Sequence, residues 1–215
     1  MSGEPFIDIS VTLASGTPEW PGDTPFSCGW SWRRSAGASV NVSTITTSPH
    51  VGTHADAPLH VRDGAASSHQ LPLAAFVGPA VVLDVTRFDG ALDRDALRAA
   101  GLAVAPQRLL LHTGCGIASG TFPAAWPSLT PACAASLAAE GMCLLGVDCP
   151  SVDGRESQDL AVHHALFDGG AYILENLDFS RVPAGRYELM ALPLKLGDLD
   201  AAPVRAVLRQ PHTDP

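Results

Sequence analysis

Lysine is almost missing from this chain of 215 residues: Lys195 is the only one. With 13 Lys+Arg against 22 Asp+Glu, the formal net charge is −9. Such a balance excludes nucleic acid as a partner, because phosphate binding needs clustered Lys and Arg. It argues equally against docking on anionic lipid. No apolar run approaches the ~20 residues that a membrane span needs. The opening stretch, Met1 to Phe6, has neither the basic nor the apolar region of a secretory signal. The cysteines, Cys28, Cys115, Cys133, Cys143 and Cys149, are odd in number and form no C-x-x-C, which excludes a zinc ribbon and a disulfide framework. A reducing cytoplasm is the expected compartment. Two hydrolase signatures are also missing: the helical His-Glu-x-x-His of zincins and the Gly-x-Ser-x-Gly of serine hydrolases.

What the chain does have is histidine in one place. Four of its eight histidines lie between positions 50 and 69. His50, His54, Asp56 and His60 fall within eleven residues, a ligand set suited to a borderline divalent metal. Gly52 and Pro58 argue against a helix here. In an extended chain side chains repeat every two residues, so His50, His54 and Asp56 would share one face. Gly52 would then leave room for an ion, and Pro58 would turn His60 in from another direction. His69 fits no ligand spacing and is expected at the surface or capping a turn.

A second group follows. His163 and His164 sit on an expected short helix over residues 160–168. Adjacent helical side chains point about 100° apart, so at most one reaches a shared site. In an expected strand over residues 171–177, Glu175 shares its face with Ile173 and Leu177. A carboxylate there needs a cation or several hydrogen bonds, and a metal or an arginine would serve. Asp148 ends an expected strand over residues 142–148 and either orients a metal ligand or caps the following turn.

The rest reads as a strand-rich α/β mixture. Further strands are expected over residues 6–10, 39–47, 80–86, 108–112, 187–194 and 203–208, with Pro203 marking an edge. Further helices are expected over 92–100 and 130–140, the latter capped by Thr130 with Pro131 in its first turn. Neither a repeat nor a long linker interrupts residues 1–215, so one compact domain is expected. The loop over residues 15–25 carries Pro18, Pro21 and Pro25 beside Trp20, which either plugs the core or walls a ligand pocket.

The unbroken His-x-Gly-Thr-His-x-Asp-x-Pro-x-His from His50 to His60 resembles the signature of the metal-dependent cyclase family. Gly146 to Asp153, Ser157, His163 to Leu166 and Leu174 to Leu177 fall in that family's order. The stretch Trp20-Pro-Gly-Asp-Thr-Pro25 resembles the branch that hydrolyses N-formyl-L-kynurenine to L-kynurenine and formate. The resemblance implies a compact mixed fold with a central sheet or barrel flanked by short helices, and a homodimer. It implies two divalent ions per chain, zinc or manganese. His50, His54 and Asp56 would hold one ion, and Asp56, His163 and Glu175 the other, with Asp56 and Glu175 bridging. His60 would be the catalytic acid/base, and Trp20 would line the substrate pocket. His112 departs from the pattern, which carries an arginine before the threonine in many relatives. Alternatives are another amide hydrolase of the family, such as one acting on isatin, or a non-catalytic metal-binding protein.

Overall fold

The computed structural model describes residues 6–211. Its strands are β1 (Ile7–Asp8), β2 (Ser27–Trp32), β3 (Val42–Thr46), β4 (His54–Asp56), β5 (Val77–Asp84), β6 (Ala91–Leu92), β7 (Arg108–His112), β8 (Ser128–Leu129), β9 (Leu144–Val147), β10 (Tyr172–Glu175), β11 (Gly185–Met190), β12 (Ala201–Pro203) and β13 (Val207–Arg209). Three α-helices join them: α1 (Arg94–Ala99), α2 (Pro131–Ala139) and α3 (Ala161–Asp168).

Nine strands form one mixed sheet in the order β1-β13-β11-β5-β7-β9-β10-β4-β12. Its centre, β5-β7-β9-β10, is parallel. These are the Val- and Leu-rich runs; β7, β9 and β10 are buried on both faces as parallel strands require, and β5 is buried chiefly over Ala80 to Leu83. The connections between them supply the helices. Thr130 caps α2 by accepting from the Cys133 backbone N–H, and Asp93 caps α1 in the same way from Ala96. All three helices cover one face, where Leu109, Leu111, Leu137, Leu145 and Leu166 meet.

No α-helix contributes to the core on the other face. Ile9, Ala55, Leu110, Leu174, Tyr187 and Leu208 pack together there, although they come from opposite ends of the strand order. A flat sheet would hold β1 and β10 about 29 Å apart, at ~4.8 Å per strand. Instead Ser10 bridges Leu177, immediately after β10. The sheet therefore curls into a half-barrel that buries its own concave face.

This curl breaks the strand expected over residues 203–208 into two. The Val204 N–H donates to Thr53 C=O beside β4, whereas Ala206 C=O accepts from Ile9 beside β1. The chain changes partners across the seam, and β12 and β13 lie at opposite ends of the order. Pro203 does end an edge strand, as its missing N–H requires. The strand expected over 187–194 runs instead from Gly185 to Met190. The strand over 39–47 pairs with β2, which sequence reasoning missed, in a hairpin exposed along its whole length.

Candidate metal centre

Three segments meet beside the parallel centre of the sheet. β10 pairs antiparallel with β4, placing Glu175 directly opposite His54 and Ile173 opposite Asp56. His54 and Asp56, two residues apart, project from one face of β4. α3 brings in His163. All four side chains are buried.

The extended arrangement expected for residues 50–60 holds only over β4. His50 lies in a turn before it, and His60 ends a 3-10 turn, Pro58–His60, after it. Gly52 is required for a reason other than the one expected. Its φ is +74°, and a Cβ there would come within 2.4 Å of Leu13 Cδ2. Its backbone turns so that its carbonyl accepts from both His54 Nδ1 (2.9 Å) and Asn176 Nδ2 (3.2 Å).

Each imidazole has one nitrogen anchored and the other aimed inward. His54 Nδ1–H donates to Gly52 C=O, leaving Nε2 toward the cluster. His163 Nδ1–H donates to Asp153 Oδ2 at 2.7 Å, leaving Nε2 at 3.3 Å from Asp56 Oδ2. His50 Nε2 meets Asp200 Oδ2 at 2.9 Å, leaving Nδ1 at 3.1 Å from Asp56 Oδ1. The partners thus fix the tautomer that presents a lone pair inward.

A cation fits these groups. His50 Nδ1 and His54 Nε2 are 3.1 Å apart, two inward lone pairs that would repel in the neutral rings. Asp56 Oδ1 is fully buried and has no hydrogen-bond partner. An unsatisfied buried carboxylate oxygen is costly, and a divalent ion would satisfy it together with both nitrogens. Ligand atoms of His50, His54 and Asp56 lie within 4.8 Å of one another, as do those of Asp56, His163 and Glu175. Each carboxylate faces both groups. Asp56 turns Oδ1 to His50 and His54 and Oδ2 to His163. Glu175 turns Oε2 to His54 (3.5 Å) and Oε1 to His163 (3.6 Å).

The local charge points the same way. Burial pushes the His54 imidazole down, but Asp56 and Glu175 outweigh it and raise it to about 10. Burial likewise opposes charge on His163, which Asp153 and Asp56 carry to about 10. The cluster attracts positive charge, and a metal can supply it in place of protons.

His60 Nδ1 lies 3.2 Å from Asp200 Oδ2, and its ring centre is 4.4 Å from that of His50. Its Nε2 makes no hydrogen bond among the described residues. Trp20 packs edge-on against Phe122 and Trp126, with centroids at 5.6 and 6.0 Å, and is 39% exposed. With His50, His60, Ser151 and Asn176 it lines a cavity of about 690 Å³. The aromatic cluster thus holds the ring at the cavity edge.

The remaining expected residues separate. His164 turns away and meets Arg62, which also pairs with Asp168 at 2.7 Å. Asp148 accepts from the Thr113 and Gly114 backbone N–H groups, both at 2.9 Å, so it ties down the loop after β7 and does not orient a ligand. His112 lies beside Asp148 and Phe179 and does not line the cavity. His69 is half-buried and meets the Ser67 hydroxyl at 2.9 Å, but the cap of its turn is made by Ser67 and Gln70. Glu175 has no arginine partner among the described residues; the Val152 N–H donates to it at 2.8 Å. Cys149 is fully buried, and burial pushes its thiol well up.

Sequence reasoning missed the roles of Asp153 and Asp200. Asp153 accepts from the Val162 and His163 backbone N–H groups as well as the His163 ring. A carboxylate ten residues ahead of a helical histidine was its only trace. Asp200 reads as part of a polar turn, and nothing near it in sequence marks it.

The half-barrel and its buried His/carboxylate cluster define a metal-dependent hydrolase type of site. The Cyclase family model ("Putative cyclase") matches residues 7–154, and the chain belongs to that family. Among its relatives is a Bacillus cereus protein named kynurenine formamidase, 42% identical over 211 residues, which are 97% of this chain and 99% of the relative. A solved structure described as a "Potential Metal-Dependent Hydrolase With Cyclase Activity" is 27% identical, with a TM-score of 0.82 and coverage of 97% of this chain and 98% of that one. Isatin hydrolase A from Labrenzia aggregata shares the fold, with a TM-score of 0.80 at 24% identity and coverage of 95% and 93%.

Proposed function

We propose that this chain is a metal-dependent arylformamidase, hydrolysing N-formyl-L-kynurenine to L-kynurenine and formate in tryptophan degradation. The observation that carries this is the 42% identity to kynurenine formamidase along nearly the whole chain. It is joined by a metal-fitting cluster that opens on an aromatic-walled cavity. The whole chain serves as one hydrolase domain. His50, His54 and Asp56 would hold one divalent ion and Asp56, His163 and Glu175 a second, and Asp56 and Glu175, which each turn an oxygen to both groups, would be shared between them. Zinc suits this ligand set, and manganese is the alternative. Bound there, the ions supply an acidified water and a Lewis acid for the formyl carbonyl.

The chain's own residues do the rest. His60 offers Nε2 to take a proton in the attack and return it to the anilide nitrogen, which leaves poorly as an anion. Trp20 packs against the substrate's aryl ring, worth about 0.5–1.5 kcal/mol beyond burial. The test compares N-formyl-L-kynurenine, a simple formanilide and isatin on the metal-loaded protein. N-formyl-L-kynurenine should be the best substrate, because remote binding energy is lost in the smaller formanilide. Trp20→Ala should raise KM with metal content unchanged. Faster turnover of isatin would replace the substrate and keep the hydrolase. Unchanged KM with a lowered Tm would reduce Trp20 to a plug.

The same reading makes the enzyme a cytoplasmic homodimer acting on a small molecule, with no nucleic-acid or membrane partner. All five cysteines are free, and no described helix is long and apolar enough to cross a membrane. The β2–β3 hairpin exposes Trp30, Trp32, Val42 and Ile45. An isolated two-stranded ribbon is marginal in water. Residues 27–46 carry Arg33 and Arg34 and no acid, while the chain as a whole is at −9. A second copy therefore offers this basic, apolar arm an acidic partner. Replacing Trp30 and Trp32 with serine should shift the protein from dimer to monomer in sedimentation; an unaltered dimer would remove the hairpin from the interface.

A further inference from the structure

We propose that Asp200 is a positioning residue that sets two histidines at once, fixing the inward lone pair of His50 and the proton-accepting face of His60. The inference rests on the reading of His50 as a metal ligand and His60 as the acid/base. A single oxygen, Asp200 Oδ2, lies 2.9 Å from His50 Nε2 and 3.2 Å from His60 Nδ1. A carboxylate oxygen only accepts, so both ring nitrogens donate to it. His50 is then protonated at Nε2 and bare at Nδ1, the atom facing Asp56 and His54. His60 is protonated at Nδ1 and bare at Nε2, where a base must be bare. One carboxylate thus couples metal-site geometry to the base.

The backbone holds Asp200 where this works. β12 pairs with β4 so that Ala201 lies opposite Asp56. The Ala57 N–H donates to Asp200 C=O at 2.8 Å, next to the turn that ends in His60. The side chain is 40% exposed, so without its two donors it would be free to swing into water. A carboxylate behind a histidine is a recurring way to orient metal ligands and bases, and its loss costs about 10–100-fold in metal affinity or activity.

The test uses metal-loaded wild type, Asp200→Asn, Asp200→Glu and His60→Ala, all checked for folding by circular dichroism. Readouts are kcat, KM, zinc affinity by chelator competition, and the His60 tautomer by 15N NMR. Asp200→Asn should lower kcat about 10–100-fold with little change in KM, weaken zinc retention, and mix the His60 tautomers. Asp200→Glu should recover part of kcat. If His60→Ala loses kcat but Asp200→Asn keeps wild-type kcat, zinc affinity and tautomer, the Asp200 proposal alone is overturned. If His60→Ala keeps its kcat, the acid/base reading fails and this proposal falls with it. If excess zinc inhibits the wild type but not Asp200→Asn, the cluster binds a further cation and the positioning role is overturned.

Discussion

His60→Ala should lose about 10²–10⁴-fold in kcat, the range typical of general acid/base groups, while keeping its metal. The separation follows from geometry. His60 is in neither the His50/His54/Asp56 nor the Asp56/His163/Glu175 group; its own grouping of possible ligand atoms, with His50 and Asp200, is the more exposed one at the cavity side. Removing it deletes a partly exposed ring at the cavity wall and leaves His50, His54, Asp56, His163 and Glu175 in place. Elemental analysis and steady-state kinetics on the same preparation check both halves. Normal turnover would refute the acid/base role, and a parallel loss of metal would make His60 a ligand.

Asp56→Ala should do the reverse and abolish metal binding, with activity going with it. Asp56 is completely buried and, like Glu175, turns a separate oxygen to each of the two groups, but Asp56 alone of the pair lies within 3.3 Å of His50, His54 and His163. Its loss leaves His50 and His54 facing one another across a cavity, without the one carboxylate that touches both of them. Protein purified without chelator should carry close to two ions per wild-type chain and far fewer in the variant. Because a bound ion stabilises the fold by mass action, chelator should lower the Tm of the wild type and leave the variant unmoved. A wild-type value near one would retain the metal and remove the bridged pair. A value near zero in fully active protein would remove the metal altogether.

The sequence by itself determined the residue types of the cluster, the buried strands at the centre of the sheet and the Thr130 helix cap. These are local properties: a histidine every few residues, Leu-rich runs such as 108–112, and Thr130 ahead of Pro131. It also excluded the function classes that need clustered lysine or arginine. Even within the motif, however, the expected face was only partly right. Gly52 turns the chain at positive φ over Leu13, so His50 approaches from a loop and not along the strand. Only the tertiary structure decided the curl of the sheet, which no strand's own sequence records because it is closed by contacts between distant segments, the Ser10–Leu177 bridge and the Asp178 N–H to Ile9 C=O bond among them. Helix spacing alone left His163 and His164 open and the family resemblance pointed to His163; the seating of α3 against β10 is what turns His163 inward and His164 toward Arg62. Asp200 is the clearest case. It lies 150 positions from His50 and 140 from His60, and its meaning exists only where the β4–β12 ladder brings it beside them. A carboxylate's chemistry is set by what donates to it, and that is a property of the fold.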